Sequence, residues 1–250
     1  MTITVESIQT QAFSGGPTLQ WTFYPSYTYD EGDLLLITAV AEGSSTLTIT
    51  TPRSGLTWTS AGSQLVDRTP LGDLCTIYAW YTIAPSDSGI STNIRVTSSD
   101  AVSWKKFMIH RLSSTLGFGG EAVTAVFGKD VVPSYPVPGF PPTYDIDGLT
   151  LSTFDDALLR VAACNDNGDE GTFDTTQAFS GHTRLAIQTG DEVGMISLRK
   201  DSVAAGAVST LTLDTISVAG GEVDGIGFAN FKLREGAGGG SKNMTLLGVG

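Results

Sequence analysis

The sequence contains few of the residues from which catalytic and nucleic-acid-binding sites are built. Its 250 residues include two histidines, two cysteines and 14 Lys and Arg against 26 Asp and Glu, a formal net charge of −12 with an isoelectric point near 4.4. A nucleic-acid partner needs clustered cations that replace counterions at the phosphates. The small number and scatter of the basic residues therefore predict no nucleic-acid partner.

Signals for membrane association are also missing from the sequence. The two pairs of adjacent basic residues, Lys105-Lys106 and Arg199-Lys200, are too short for a polybasic patch, and we interpret them as solvated strand surface. The N-terminus lacks the positive start and apolar run of a secretory signal, and no stretch approaches the roughly 18 apolar residues of a membrane span. We therefore expect a soluble chain, made in the cytosol, with no membrane partner.

The two cysteines favour a structural interpretation. Cys75 and Cys164 each lie inside an apolar, strand-like run, where a free thiol usually behaves as a small buried hydrophobe. A disulfide and a reactive thiol are the alternatives to this interpretation.

Helical patterns are nearly absent, and short β-branched and aromatic runs separated by Gly, Pro, Asp, Asn and Ser dominate. This pattern is typical of a sandwich or barrel, and the short connections suit antiparallel strands. We predict an all-β, antiparallel, jelly-roll-like β-sandwich. The predicted strands are residues 19–24, 33–41, 46–50, 56–65, 74–84, 93–97, 102–112, 157–164, 183–188, 193–199, 208–213 and 225–233.

Two features refine the strand assignment. Residues 33–37 and 157–161 are continuously apolar apart from single charged residues, so we expect strands that are covered on both faces. Residues 99–112 place Trp104, Phe107 and Met108 near helical spacing, but β-branched and aromatic residues crowd the segment and no capping box opens it. A strand is preferred there over a helix.

A proline-rich segment interrupts the pattern. Residues 128–147 contain five of the ten prolines and cannot form a continuous ladder. We interpret the segment as a long crossover within a single domain, residues 1–235, rather than as a linker between two domains. Two short echoes, TQAFSG at 10–15 and 176–181 and the similarity of residues 32–35 to 155–159, have different offsets, so no repeat architecture is predicted.

The C-terminal residues 236–250 form a glycine-rich tail with an apolar end. A glycine-rich linker has no core of its own. We expect the apolar end to dock on a neighbouring subunit or partner, with folding back onto its own domain as the alternative. The contact residues predicted for this tail are Met244, Leu246, Leu247 and Val249.

The sequence offers no set of residues that predicts catalysis, a cofactor or a resident metal. His110 and His182 lack a hydrolase motif around them, and we interpret both as structural or surface residues. The adjacent acids Asp155-Asp156 and Asp191-Glu192 are interpreted as turn formers. Residues 165–171 (NDNGDEG) have alternating oxygen donors similar to a calcium loop, but the Gly and twelfth-position acid are missing, so an ordinary polar loop is preferred.

Aromatic side chains are the remaining candidates for binding. Residues 21–29 contain Trp21, Phe23, Tyr24, Tyr27 and Tyr29, and such side chains stack on sugars or anchor protein interfaces. Tyr27 and Tyr29 flank polar residues just before an acidic turn. We therefore predict these two tyrosines as exposed contact residues.

Three segments share a pattern: residues 30–37 (DEGDLLLI), 52–58 (PRSGLTW) and 78–84 (YAWYTIA). They resemble structural proteins of tailed bacteriophages, over about residues 30–233. A later strand of that family ends in Tyr-Arg-Gly, of which residues 108–112 (MIHRL) keep only Arg111.

The resemblance implies a non-enzymatic virion protein, assembled in the host bacterial cytoplasm, that decorates the capsid or lies on the particle surface as a homo-oligomer bound to other virion proteins. A tail adhesin or carbohydrate-binding module that binds a host glycan is the alternative.

Overall fold

A computed structural model of the chain shows strands and no helix in the residues that it describes, and hence no helix there that could span a membrane. The prediction of an all-β, antiparallel fold is confirmed. The described residues are 3–13, 18–23, 29–51, 56–68, 72–85, 94–102, 105–131, 143–153, 155–165, 170–189, 193–201, 204–218 and 225–236.

Eighteen strands are present in this part of the chain. The first eight are β1 (Ile3–Phe13), β2 (Thr18–Phe23), β3 (Leu34–Glu42), β4 (Leu47–Thr50), β5 (Thr59–Arg68), β6 (Gly72–Ile83), β7 (Ile94–Val102) and β8 (Lys105–Ser114). The remaining ten are β9 (Val123–Val131), β10 (Thr143–Ile146), β11 (Leu149–Leu151), β12 (Ala157–Asn165), β13 (Glu170–Phe173), β14 (Thr183–Gln188), β15 (Val193–Asp201), β16 (Gly206–Val208), β17 (Leu211–Val218) and β18 (Gly225–Leu233).

The first eight strands form one sandwich. A five-stranded sheet in the order β1-β8-β3-β6-β5, the first central sheet, is covered by a three-stranded sheet in the order β2-β7-β4. A jelly roll pairs its first strand with its eighth, its second with its seventh, its third with its sixth and its fourth with its fifth. The first three pairs are present here. The fourth is replaced, because β5 pairs with β6 in the first central sheet.

The last ten strands form a second sandwich with the same strand order. Its central sheet runs β9-β18-β12-β15-β14, and its covering sheet runs β10-β17-β13. Strands β9, β10, β12, β13, β14, β15, β17 and β18 thus take the places of β1 to β8 in turn. The short ribbon β11-β16 is an addition of the second sandwich.

A β-bulge at the same place supports this equivalence. The register of β5 against β6 shifts between Ser60 and Gly62, opposite Trp80. The register of β14 against β15 shifts between Arg184 and Ala186, opposite Leu198. Because a bulge bends its strand and marks a particular residue pair, Trp80 and Leu198 occupy equivalent positions.

The expectation that the chain contains no repeat is therefore wrong. By this equivalence, β3 corresponds to β12. The two strands are 123 residues apart in the sequence, and the same separation relates residues 32–35 to residues 155–159. The offset between β6 and β15 is 118 residues, because loop lengths differ between the halves. The identical hexapeptides are unrelated by structure, since residues 10–13 lie in β1 and residues 176–181 lie in a loop.

The two central sheets pack face to face. Alternate residues of β3, Leu34, Leu36 and Val40, point into a core that also holds Leu159 and Phe231 of the second sandwich. The intervening residues of both β3 and β12 are buried beneath the covering sheets and the ribbon. The molecule is thus four layers thick, and the prediction that these two apolar runs are covered on both faces is confirmed.

Other strand predictions have mixed outcomes. The strand preferred over a helix at 99–112 is confirmed for the described residues, because 99–102 lie in β7 and 105–112 lie in β8, while 103 and 104 lie outside them. Strands β1, β9, β10, β11, β13 and β16 were not predicted, since β1 and β9 carry polar or small residues at most positions and the other four are short.

The segment 128–147 does not divide the two halves. Its first residues belong to β9 and residues 143–146 form β10, while 132–142 lie outside the described residues. The junction between the sandwiches is residues 115–122. That residues 1–235 behave as a single domain stays a prediction, because a shared core does not show that both halves unfold together.

Buried cations link the two halves. Lys106, 1% exposed, donates to the Thr189 carbonyl oxygen at 3.1 Å, and Arg199 donates to the Ile3 carbonyl oxygen. Lys105 is also buried and donates to the Val102 carbonyl oxygen at 2.8 Å. The interpretation of these basic residues as solvated strand surface is therefore wrong. The strands that carry them lie inside their sheets, and the layers packed on those sheets cover most of these side chains.

Candidate functional site

The predicted contact residues are only partly visible. Tyr29 is 1% exposed and packs with Leu35, Leu56 and Ala84, so the expectation that it is exposed is wrong. The turn before β3 folds its ring against the sandwich, which the flanking polar residues did not reveal. Tyr27 and the tail residues Met244, Leu246, Leu247 and Val249 lie outside the described residues.

Asp155 and the two cysteines have structural surroundings, whereas Asp191 and Glu192 lie outside the described residues. The Asp155 carboxylate accepts from the Ser152 backbone N–H at 2.7 Å and hydroxyl at 2.9 Å, which confirms it as a turn former. Cys75 and Cys164 are buried and are not joined in a disulfide, as interpreted. Within the described residues no group of three or more His, Cys, Asp or Glu could hold a metal. Of the suggested calcium loop, residues 166–169 lie outside them.

His110 is fully buried on the central-core face of β8, so its interpretation as a structural residue agrees with its position. Burial lowers the pKa of its imidazole to about 4, and the Leu36 backbone offsets part of this effect. The equivalent position in the second sandwich, judged from pairing with Leu36 and Leu159, is Phe231. His110 is therefore an ionisable residue at a place where the other half has an apolar ring.

We expect His110 to make the protein sensitive to mild acid. Its pKa is about 4 in the folded chain and near 6.5 when unfolded, so between these values the unfolded chain binds the proton and stability falls as the pH falls. Lowering the pH from 7 to 5 should cost about 2 kcal/mol through this residue. Urea unfolding of the wild type and His110→Phe at both pH values measures the difference.

His182→Phe is the comparison: His182 is half-buried and burial also lowers its pKa, so this substitution should remove a smaller part of the loss than His110→Phe does. If His110→Phe loses as much stability as the wild type between pH 7 and 5, the assignment of the acid sensitivity to His110 is wrong.

The second sandwich contains an unusual polar row. Arg160 of β12 pairs with Leu198 on one side and with Asn230 on the other, and paired residues of antiparallel strands share a face. These three residues, the Arg160 row, lie on the face of the second central sheet that the covering strands bury. Arg160 is 0% and Asn230 1% exposed.

Arg160 is a buried cation without a counter-ion among the described residues. Its Nη2 donates to the Ser209 carbonyl oxygen at 3.2 Å, while Nε and Nη1 are buried and have no acceptor. Burial lowers the pKa of the guanidinium to about 10, so the group stays charged at neutral pH. Leaving such donors unpaired carries a large desolvation cost.

The neighbours of Arg160 add polarity and positive charge. Both the Oδ1 and Nδ2 atoms of Asn230 are buried without a partner. His182 lies near enough to Arg160 and Lys200 for both charges to lower its pKa, after burial as the main cause, and its Nε2 is also unpartnered. The Lys200 Nζ is 3.9 Å from the place where a Cβ on Gly181 would lie, so it sits beside the same turn.

Sequence reasoning missed this site, although one signal was available. Residues 157–164 (ALLRVAAC) carry a charge in the middle of a run that is covered on both faces. What the sequence could not show is that Asn230 lies beside Arg160 and that no carboxylate of the described residues pairs with it.

A separate open cleft of about 400 Å³ lies at the β5–β6 end of the first sandwich. Tyr81 and Ile83 of β6 line it together with Leu56, Thr59 and Pro85. An aromatic ring beside hydroxyl groups suits a sugar ring, and the volume is within the range of small-ligand sites.

The comparisons with known proteins give no family assignment. No protein-family model matches the chain, and no curated protein matches it.

Proposed function

We propose that this protein is a non-enzymatic structural protein of a bacteriophage particle, a decoration or surface protein that acts through protein–protein contacts. It would form a homo-oligomer with its binding surfaces on loops and on the C-terminal tail. Localisation would be the virion, after assembly in the host bacterial cytoplasm.

The observation that carries the proposal is the strand order, which pairs the first strand with the eighth, the second with the seventh and the third with the sixth in both sandwiches. These three pairings are shared with double-sheet jelly rolls, which occur in viral capsid and lectin domains, whereas the fifth strand of each sandwich pairs with the sixth. The argument is one of analogy in fold. The resemblance of residues 30–84 to tailed-phage structural proteins supports the same context.

A protein of four packed layers is suited to a structural role. In each sandwich a buried central sheet is shielded on both faces, so the main-chain ladders of β3 and β12 are protected from water. A particle-surface protein needs a rigid scaffold whose loops carry the contacts.

The proposal predicts that the chain remains on purified particles. We expect immunogold label, raised against this chain, at regular positions on gradient-purified phage particles whose genome encodes it, and electron microscopy then separates head from tail. Pre-immune serum is the control for adhering antibody. Absence of the chain from particles that retain full infectivity would overturn the proposal.

The cleft beside Tyr81 favours a second candidate, a glycan-binding adhesin on the same fold. Binding of the purified chain to a glycan array, together with label confined to tail tips, would favour this candidate over a decoration protein.

A further inference from the structure

We propose that the Arg160 row is a binding site for a small oxyanion such as phosphate, sulfate or a free carboxylate, enclosed within the second sandwich. This site is independent of the proposed virion role.

The first sandwich shows that the fold does not require polar residues at this place. Because Trp80 and Leu198 are equivalent, their partners are equivalent too, and the row that matches Leu198, Arg160 and Asn230 consists of Trp80, Ile37 and Ile109. That row is part of an apolar core. The same sheet geometry is thus satisfied by two isoleucines, and Arg160 and Asn230 need an explanation beyond packing.

The unpaired groups indicate the charge of the ligand. Arg160 supplies N–H donors from Nε and Nη1, and the Nδ2 of Asn230 supplies two further N–H donors. Two further cationic or ionisable groups, Lys200 and His182, lie beside them. In a chain of net charge −12, no described carboxylate pairs with Arg160. This environment attracts an anion and repels a metal cation.

The burial indicates the size of the ligand. Arg160 and Asn230 lie beneath the covering strands. The Arg160 Nη2 donates to the carbonyl oxygen of Ser209, the residue that follows β16 of the ribbon. Exposures of 0% and 1% leave no surface on which a peptide or polymer could bind, and the planar donors of a guanidinium match the oxygens of a small oxyanion.

The test compares anion binding to the wild type and to Arg160→Met, which removes the donors at similar side-chain length. After dialysis into sodium chloride, titration calorimetry with inorganic phosphate at constant ionic strength should give saturable binding to the wild type that is at least about tenfold weaker in the variant. Sulfate and acetate, titrated in the same way, show which oxyanion binds best. Without added oxyanion, Arg160→Met should have the higher melting temperature, because it removes a buried unpaired charge.

The control is Arg95→Met, which makes the same change in net charge at an exposed position of β7. It should bind phosphate as the wild type does, and it corrects for the general stabilisation of proteins by phosphate and sulfate. If Arg160→Met does not fold, Asn230→Ala takes its place, with weaker binding expected.

Absence of saturable binding to the wild type, or equal binding by Arg160→Met, would mean that the row holds only water and would overturn the proposal. A site that chloride fills as well as phosphate would also overturn it.

Discussion

Replacing Phe231 with alanine is expected to lower the free energy of unfolding by about 3–5 kcal/mol. The ring is fully buried in the core between the two central sheets, and it meets the Phe127 ring edge-on with a centroid separation of 6.4 Å. The substitution leaves a cavity that the neighbouring strands cannot fill by moving together, because hydrogen bonds to adjacent strands hold each strand in place. The measurement is urea unfolding followed by far-UV circular dichroism.

The same variant tests whether the two sandwiches unfold as one unit. All four tryptophans, Trp21, Trp58, Trp80 and Trp104, belong to the first half of the chain, so tryptophan fluorescence reports that half while circular dichroism reports both. We expect one transition with coincident midpoints, shifted equally by Phe231→Ala in both signals.

Phe228→Ala is the matched control, since its ring packs in the outer core of the second sandwich. The tryptophan signal should follow this substitution only if the halves are coupled. A fluorescence midpoint that stays at its wild-type value while circular dichroism becomes biphasic would show two independent units, and the prediction of a single domain would be wrong.

Replacing Arg111 with methionine is expected to cost about 3 kcal/mol. Arg111 pairs with the buried carboxylate of Asp33 and, at 2.8 Å, with the exposed carboxylate of Asp30. Asp33 also accepts the Asp30 backbone N–H at 2.8 Å, which shapes the turn before β3. Without Arg111 the Asp33 charge remains buried with too few partners, so the loss exceeds that of an exposed ion pair.

The double variant Asp33→Asn, Arg111→Met should recover part of this loss, because it removes the stranded charge as well. Chemical denaturation of both single variants and the double variant completes the cycle. Additive losses from the two single substitutions would show that the pair is not coupled, contrary to this expectation.

The strands at the centre of each sheet were predictable, because a strand that is buried on both faces carries apolar residues at consecutive positions. Residues 34–37 and 157–159 are apolar at consecutive positions, and the structure places both runs in the middle of five-stranded sheets. Edge strands such as β9 are harder to recognise in the sequence, since they pair with a neighbour on one side and their faces are half-exposed.

The candidate site was not predictable, because a single sequence does not show which side chains meet. Arg160 and Asn230 are 70 residues apart and become neighbours only through the register of β12 with β18. The burial of Tyr29 depends in the same way on contacts with Leu56 and Ala84.

The sequence by itself determined the all-β class, the apolar central strands, the burial of the two cysteines and the turn around Asp155. Local propensity and face-by-face burial act on neighbouring residues, so their pattern can be recognised along the chain. The tertiary structure alone decided that the chain forms two sandwiches of the same order, that Lys106 and Arg199 join them, and that a guanidinium lies enclosed at Arg160. These features depend on pairings between residues distant in sequence, and the differing loop lengths hide the period except for the echo of residues 32–35 at 155–159.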